Sequence, residues 1–224
     1  GESRIFAHVA HPEKLENNSF LKEHVIDEYL QTEWGDISLV RATLALLRAA
    51  LTDSDCTHMV LVSESCVPVR SLSDLTRSLQ LDPRSRMFVR SWEDERRTNV
   101  LRAQRVEYLD GIRKEIAHFQ AQWMSLCRND AELICNNDLT DHFLKCFAPD
   151  EAYFATALAV LGRPPLQSVA NRHFTWTDWT QGGDNPGQFH EVSPELAARI
   201  SDSGCFFARK FKGKSNIGDY SLHL

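Results

Sequence analysis

Apolar and polar positions along the chain alternate between two periods. Ile37, Val40, Leu44, Leu47 and Leu51 recur at three- and four-residue steps, which predicts a helix over 34–51 with Asp36 placed to cap it. Met59-Val60-Leu61-Val62 is a short, continuously apolar run of the buried-strand type, and it ends in a small polar turn, Ser63-Glu64-Ser65-Cys66-Val67-Pro68. Further strands are predicted at 4–9, 87–89, 123–126 and 174–176, with a last strand or extended segment at 205–211. Helices are predicted at 73–79 and 194–200, with one ending near Phe147 and another starting at Pro149. The stretch 93–114 carries Arg96, Arg97, Arg102, Arg105 and Arg113 and reads as a solvated loop followed by a surface helix. Strands alternating with helices predict an α/β fold, a mixed central sheet flanked by helices. Neither an internal repeat nor a clean boundary divides the chain, so residues 1–224 are read as one domain.

Composition narrows the functions. At 224 residues the chain is long enough to bury roughly 70% of its unfolded surface and needs no staple to hold a core. Its net charge of −6 argues against nucleic acid as a partner, which calls for a basic field. None of its apolar runs approaches the roughly 20 residues of a membrane span, so any anchor is expected in a segment outside this chain. The six cysteines (56, 66, 127, 135, 146 and 205) form no C-x-x-C pair, which speaks against structural zinc and leaves free thiols or disulfides open.

Four stretches carry candidate chemistry. Ser63, Glu64 and Ser65 follow a strand, where open α/β sheets bind ligands; the spacing by itself favours a turn stabilised by serine side chains. Glu151 follows Pro149 and Asp150 at an expected helix start, where the dipole favours a carboxylate, either to stabilise the helix or to present an ionised general base. Arg209, Lys210, Lys212 and Lys214 fall within six residues and suit a polyanion such as a diphosphate, or a solvated tail. Trp123, and Trp176, Asp178 and Trp179 before Gly182-Gly183, suit sugar stacking and a substrate-covering loop, or packing against the sheet. The sole Asp-x-Asp triplet, Asp53-Ser54-Asp55, precedes a strand and reads as a turn rather than a metal site. His8 and His11 have no carboxylate pattern to complete a ligand set.

Taken in order, Trp34-Gly35, Leu61 to Pro68, Gln122-Trp123-Met124-Ser125-Leu126, Pro149-Asp150-Glu151-Ala152-Tyr153, Thr175-Trp176-Thr177-Asp178-Trp179 with Gly182-Gly183, and Phe207-Ala208-Arg209-Lys210-Phe211 resemble the core-2/I-branching β-1,6-N-acetylglucosaminyltransferase family, especially its plant-type and microbial branch. The resemblance implies a GT-A-like fold. It implies inverting, metal-independent transfer of a sugar (GlcNAc, xylose or glucuronic acid among relatives) from a UDP-sugar to a carbohydrate hydroxyl of a glycan or glycoprotein. The UDP-sugar is a co-substrate, and no cofactor or metal is implied. Glu151 falls on the family's base and Lys210 on its diphosphate contact; Arg209 is added as a second cation. Golgi or secretory placement with a membrane anchor is also implied, or a cytoplasmic one for a microbial source, and the lumenal setting favours some disulfides. The family carries an earlier strand and loop that help hold the uridine. The chain opens near the second strand, at residues 5–11, so the expected domain lacks the first strand. The alternative is an inactive module that binds a sugar or nucleotide without turnover.

Overall fold

The structure is a computed structural model that describes residues 3–17, 19–180, 182 and 185–216. In chain order its helices and strands are α1 (Ser38–Leu51), β1 (His58–Val60), β2 (Val67–Pro68), α2 (Leu72–Leu81), β3 (Val89–Ser91), α3 (Trp92–Thr98), α4 (Val100–Gln104), β4 (His118–Gln120), β5 (Ser125–Cys127), α5 (Arg128–Asn136), α6 (Tyr153–Val160), α7 (Pro165–Ser168), β6 (Thr175–Thr177), β7 (Phe189–Glu191), α8 (Pro194–Asp202), β8 (Phe207–Arg209) and β9 (Phe211–Asn216).

This is the mixed α/β domain expected, GT-A-like in class, with short strands paired in four small groups. β1 runs antiparallel to β5, and β3 antiparallel to β4. β8 lies between antiparallel β2 and parallel β6, and β7 pairs with β9 in parallel. Arg86 joins two neighbourhoods through isolated bridges to Ser125 and Ala170.

Helix α1 buries the stripe that its sequence carries: Val40, Leu44 and Leu47 face the core, while Arg41 and Arg48 flank it. The helix begins at Ser38 rather than Trp34, because Asp36 Oδ1 accepts the Ser38 N–H at 2.8 Å and sets the first turn there. Helix α6 is apolar all round, as a helix enclosed by other elements must be. The hydroxyl in its middle, Thr156 Oγ1, is satisfied by the backbone of His118, accepting the N–H at 3.0 Å and donating to the C=O at 3.1 Å. That exchange locks α6 against β4. Phe119, Leu126, Ile134, Phe143, Tyr153 and Phe154 join α1 in the main core, and Leu196, Ile200, Ala208 and Phe211 make a smaller one under α8.

Four expectations need correction. The helix expected to end near Phe147 stops at Asn136, and only a 3-10 turn, Thr140–Phe143, follows it. Residues 4–9 form no strand: Ala7 makes only an isolated bridge to Val25, and no further backbone there finds a partner among the described residues. The stretch 93–114 is helical at its start rather than its end, because Ser91 and Asn99 cap α3 and α4 with side-chain oxygens. It is also not uniformly solvated, since Glu95 is 2% exposed. The strand expected at 123–126 begins two residues later, at Ser125, and β4 precedes it.

All six cysteines are free; burial pushes the thiols of Cys135 and Cys146 up to about 11. Among the described residues no helix is long and apolar enough to cross a membrane. Asp53 to Asp55 form a turn, as read: Asp53 Oδ1 accepts the Asp55 N–H at 3.0 Å, and its other oxygen pairs with Arg4 at 3.1 Å.

Candidate active site

Glu151 closes a single 3-10 turn, Pro149–Glu151, directly before α6. The sequence places it on the helix; the structure puts it one residue outside, because Ala152 is the N-cap and has non-helical dihedrals. The turn is set by two close backbone approaches. Gly35 takes φ +79°, and a Cβ there would lie 2.7 Å from the Phe147 ring. Its carbonyl accepts the Ala148 N–H at 2.8 Å. Ala148 then adopts φ 48°, a left-handed conformation that costs a non-glycine residue roughly 1–2 kcal/mol. Strain of that kind concentrates where a fold must aim a particular side chain.

Two guanidinium groups hold the Glu151 carboxylate. Arg102 Nε donates to Oε2 at 3.1 Å and Arg105 Nη1 donates to the same oxygen at 2.8 Å. Oε1 receives no hydrogen bond among the described residues, and the side chain is 36% exposed. Each arginine lies over an aromatic ring, Arg102 over Phe119 at 5.2 Å and Arg105 over Phe147 at 5.4 Å. Arg102 also meets the buried Glu95 at 3.4 Å, and Glu95 in turn pairs with Arg90 at 3.5 Å. Neither Arg102 nor Arg105 is singled out by the sequence. Their signal was present as a charged stretch, but contact with a residue 46 to 49 positions later leaves no trace in local periodicity.

Asp150, beside the candidate base, is buried, and its Oδ1 has no hydrogen-bond partner among the described residues. Burial, with the neighbouring charge of Glu151, pushes its carboxyl up to about 6.

The second half of the site gathers around β8. Arg209 lies 4.2 Å over the Trp123 ring, and its Nε is buried without a hydrogen-bond partner among the described residues. Burial lowers its pKa, and Cys66 and Glu64 nearby oppose the shift. Ser63 and Ser65 bond each other through their hydroxyls at 2.9 Å, and Ser65 O accepts the Phe211 N–H at 2.9 Å. The turn after β1 therefore sits against the chain just past Lys210. Lys210 is half-buried, and its ammonium enters no ion pair among the described residues. Ser63, Glu64, Ser65, Trp123, Arg209 and Lys210 are thus brought to one neighbourhood.

A single short segment links the two halves. Gln120 is 1% exposed; its amide donates to Asp150 O at 2.6 Å, and its own carbonyl accepts from Arg102 at 3.3 Å. Three residues later stands Trp123, under Arg209. Three residues of extended chain span at most about 10 Å between Cα atoms, so the turn carrying Glu151 and the platform carrying Arg209 are anchored on opposite ends of one short connection.

The remaining aromatic candidates lie on the far side of β8. Trp176, on β6, is covered by the Arg199 guanidinium at 5.3 Å. Asp178 is 4% exposed and accepts from Arg199 at 2.9 and 3.3 Å and from Thr180 N–H and O–H at 3.0 and 2.7 Å. Arg199 first, then Thr180, holds its carboxyl below the usual range. Its oxygens are taken up within the protein. Trp179, unlike Trp176, exposes most of its ring. Gly183, in the expected covering loop, and the side chain of Lys214 lie outside what the structure describes. His8, weighed above as a ligand, accepts the Leu30 N–H at 2.9 Å through Nε2, and burial lowers its pKa. No cluster of His, Cys, Asp or Glu able to hold a metal occurs among the described residues.

No curated protein matches the chain at a significant level. The sequence model of the Core-2/I-Branching enzyme family does match, over residues 5–201; Arg209 and Lys210 fall beyond that span. The match takes in the Ser63–Cys66 turn, Trp123 and the strained turn before α6. With most of its length accounted for in this way, the chain belongs to the Core-2/I-branching enzymes, glycosyltransferases that join a sugar from a sugar-nucleotide donor to a glycan acceptor.

Proposed function

We propose that the protein transfers a sugar from a UDP-sugar to a carbohydrate hydroxyl with inversion and without a divalent metal. Glu151 is the general base. The observation that carries this reading is the asymmetry of its carboxylate: both arginines bond Oε2, and among the described residues Oε1 has no donor. A base must be fixed in position yet keep a lone pair for the incoming proton. Oε1 takes the acceptor hydroxyl proton as that oxygen attacks the anomeric carbon, and the bond to the UDP oxygen breaks on the opposite face. Charge then develops on the leaving diphosphate. Lys210 and Arg209 offset it, supplying the positive charge that a bound metal supplies elsewhere. Arg209 suits the task because Trp123 holds its guanidinium plane and because burial strips it of competing water.

The serines of the turn after β1, with Glu64, serve the nucleoside side of the donor, and Trp179 presents a ring to the acceptor. Trp123 acts through Arg209, because that cation covers one of its faces. Trp176 and Asp178 support the site through Arg199. The same reading puts the enzyme in the lumen of the secretory pathway, held by an anchor outside this chain, or in the cytoplasm if the source is microbial.

The experiment is a screen of UDP-sugars (UDP-GlcNAc, UDP-xylose and UDP-glucuronic acid) against a glycan panel, read as UDP release, with and without EDTA. One donor should support turnover that EDTA leaves intact. Saturable UDP binding in calorimetry with no turnover on any donor would instead mark a binding module.

A further inference from the structure

We infer that a second anion site exists, apart from the glycosyl-transfer region: the hollow lined by Arg70, Asp74, Ser78, Arg172, Gly204 and Phe206 binds the oxyanion of a phosphate or sulfate group. The cavity measures about 280 Å³. That is near the small end of ligand pockets and suits an oxyanion with part of a sugar attached.

Two guanidinium groups, those of Arg70 and Arg172, line it, and a third, that of Arg86, backs the lining residues Ser78 and Phe206. Arg70 is held in place by one carbonyl in the last turn of α8 and one just past it, donating from Nη2 to Ser201 O at 3.2 Å and from Nε to Cys205 O at 3.1 Å. Arg86 lies behind the wall. It is fully buried, donates to Ser78 Oγ at 2.8 Å, to Ser78 O and to Asp82 O at 3.1 Å, and sits over the Phe206 ring. Its Nε has no partner among the described residues. Helix-end carbonyls account for these two cations. They do not account for Arg172, whose guanidinium makes no hydrogen bond or ion pair among the described residues although it lines the same cavity. None of the three is paired with a carboxylate among the described residues. Burial and the nearby charges of Arg172 and Arg84 lower the Arg86 pKa, while Asp82 opposes them.

The one acid in the lining, Asp74, is already engaged: it accepts from Ser71 Oγ at 2.7 Å and meets Arg77 at 3.6 Å. In a chain of net charge −6, so much unpaired positive charge around one concavity is an attraction for an anion. Arginine forks match the paired oxygens of phosphate and sulfate.

The position separates this site from the other. Phe206 precedes β8 and Arg209 ends it; Pro68 faces Phe207 across the β2–β8 pair, and Val69 N–H bonds Phe206 O. Three residues of strand, roughly 10 Å, therefore divide the hollow from Arg209.

The test is calorimetric titration of the full chain with inorganic phosphate, glucose 6-phosphate, glucose 6-sulfate and glucose, repeated on Arg172→Ala and Arg209→Ala. Arg172 is exposed and its guanidinium has no partner among the described residues, so its removal leaves the fold intact, which an unchanged melting temperature checks. The expected result is saturable binding of the anions but not of glucose, weakened at least tenfold by Arg172→Ala and unchanged by Arg209→Ala. Tighter binding of the esters than of inorganic phosphate assigns the site to a modified sugar, and equal binding assigns it to the free ion. Absence of anion binding, or loss in Arg209→Ala with retention in Arg172→Ala, overturns the inference. Neither result bears on whether Glu151 is a base.

Discussion

Arg105 Nη1 stands 2.8 Å from Glu151 Oε2, and Arg102 Nε meets the same atom from 3.1 Å. The pair fixes one oxygen of the candidate base and leaves the other open. Because the carboxylate is partly exposed, the contacts matter for aim more than for stability. Arg105→Ala should lower kcat roughly tenfold, on the scale of one charge-assisted hydrogen bond, and leave UDP affinity unchanged. Glu151→Gln should lower kcat by about 10²–10⁴-fold. The double variant should be no slower than Glu151→Gln, since the arginine acts through the carboxylate. UDP-release kinetics on the four proteins check this; losses that simply multiply would place Arg105 in contact with substrate instead.

Trp123 supports Arg209 from 4.2 Å, with the guanidinium half-buried. A cation over an indole is worth about 0.5–2 kcal/mol depending on desolvation, or roughly 2- to 30-fold in affinity. Trp123→Ala should weaken UDP binding within that range, and Trp123→Phe should keep part of it. Calorimetry with UDP decides; an unchanged Kd in Trp123→Ala would mean that the stack organises nothing in the donor site.

Much of the fold could be read along the chain, and the exceptions share a cause. Helix α1 was legible because five apolar residues repeat at helical spacing and face one core. Strand β4 was not, because its buried end is Gln120, a polar residue made acceptable in the core by Asp150 O and the Ala155 N–H. Glu151 was found through its motif, and Arg209 through local charge density. Arg102 and Arg105 were hidden inside a stretch that looked solvated, since nothing within ten residues of them says which distant carboxylate they will meet. Asp178 looked available for sugar binding beside two tryptophans, yet Arg199, 21 residues on, claims both of its oxygens.

That last pair makes a stability prediction. Arg199→Ala strands a carboxylate that is 4% exposed, with only Thr180 left to bond it. Breaking a fully buried pair costs about 3–5 kcal/mol; here the arginine is half exposed, so about 2 kcal/mol is expected. Asp178→Asn should cost less, because the amide oxygen still accepts from Thr180. The Asp178 carboxyl lies below its usual range, so the pair stabilises the protein above the ordinary aspartate pKa and is lost as pH falls through the lowered folded value. Urea unfolding of both variants at neutral and acid pH measures it, and a difference from wild type that grows on acidification would contradict the pairing.

Asp150 works in the opposite sense. Burial and the adjacent Glu151 raise its carboxyl from 3.8 to about 6. An acid that is harder to ionise when folded costs nothing below its unfolded pKa, where both states are protonated. Between about pH 4 and pH 6 the unfolded chain loses its proton while the folded one keeps it, so stability falls; above pH 6 the loss is complete and constant. Two pH units correspond to about 3 kcal/mol. Asp150→Asn removes the charge without changing the shape of the turn, and it should gain stability over wild type by up to about that amount at pH 7.5 and by little at pH 4. Urea midpoints at the two pH values provide the comparison. The gain has to vanish on acidification, because a benefit that persisted at pH 4 would come from the amide's own hydrogen bonds rather than from relief of a buried charge next to the candidate base.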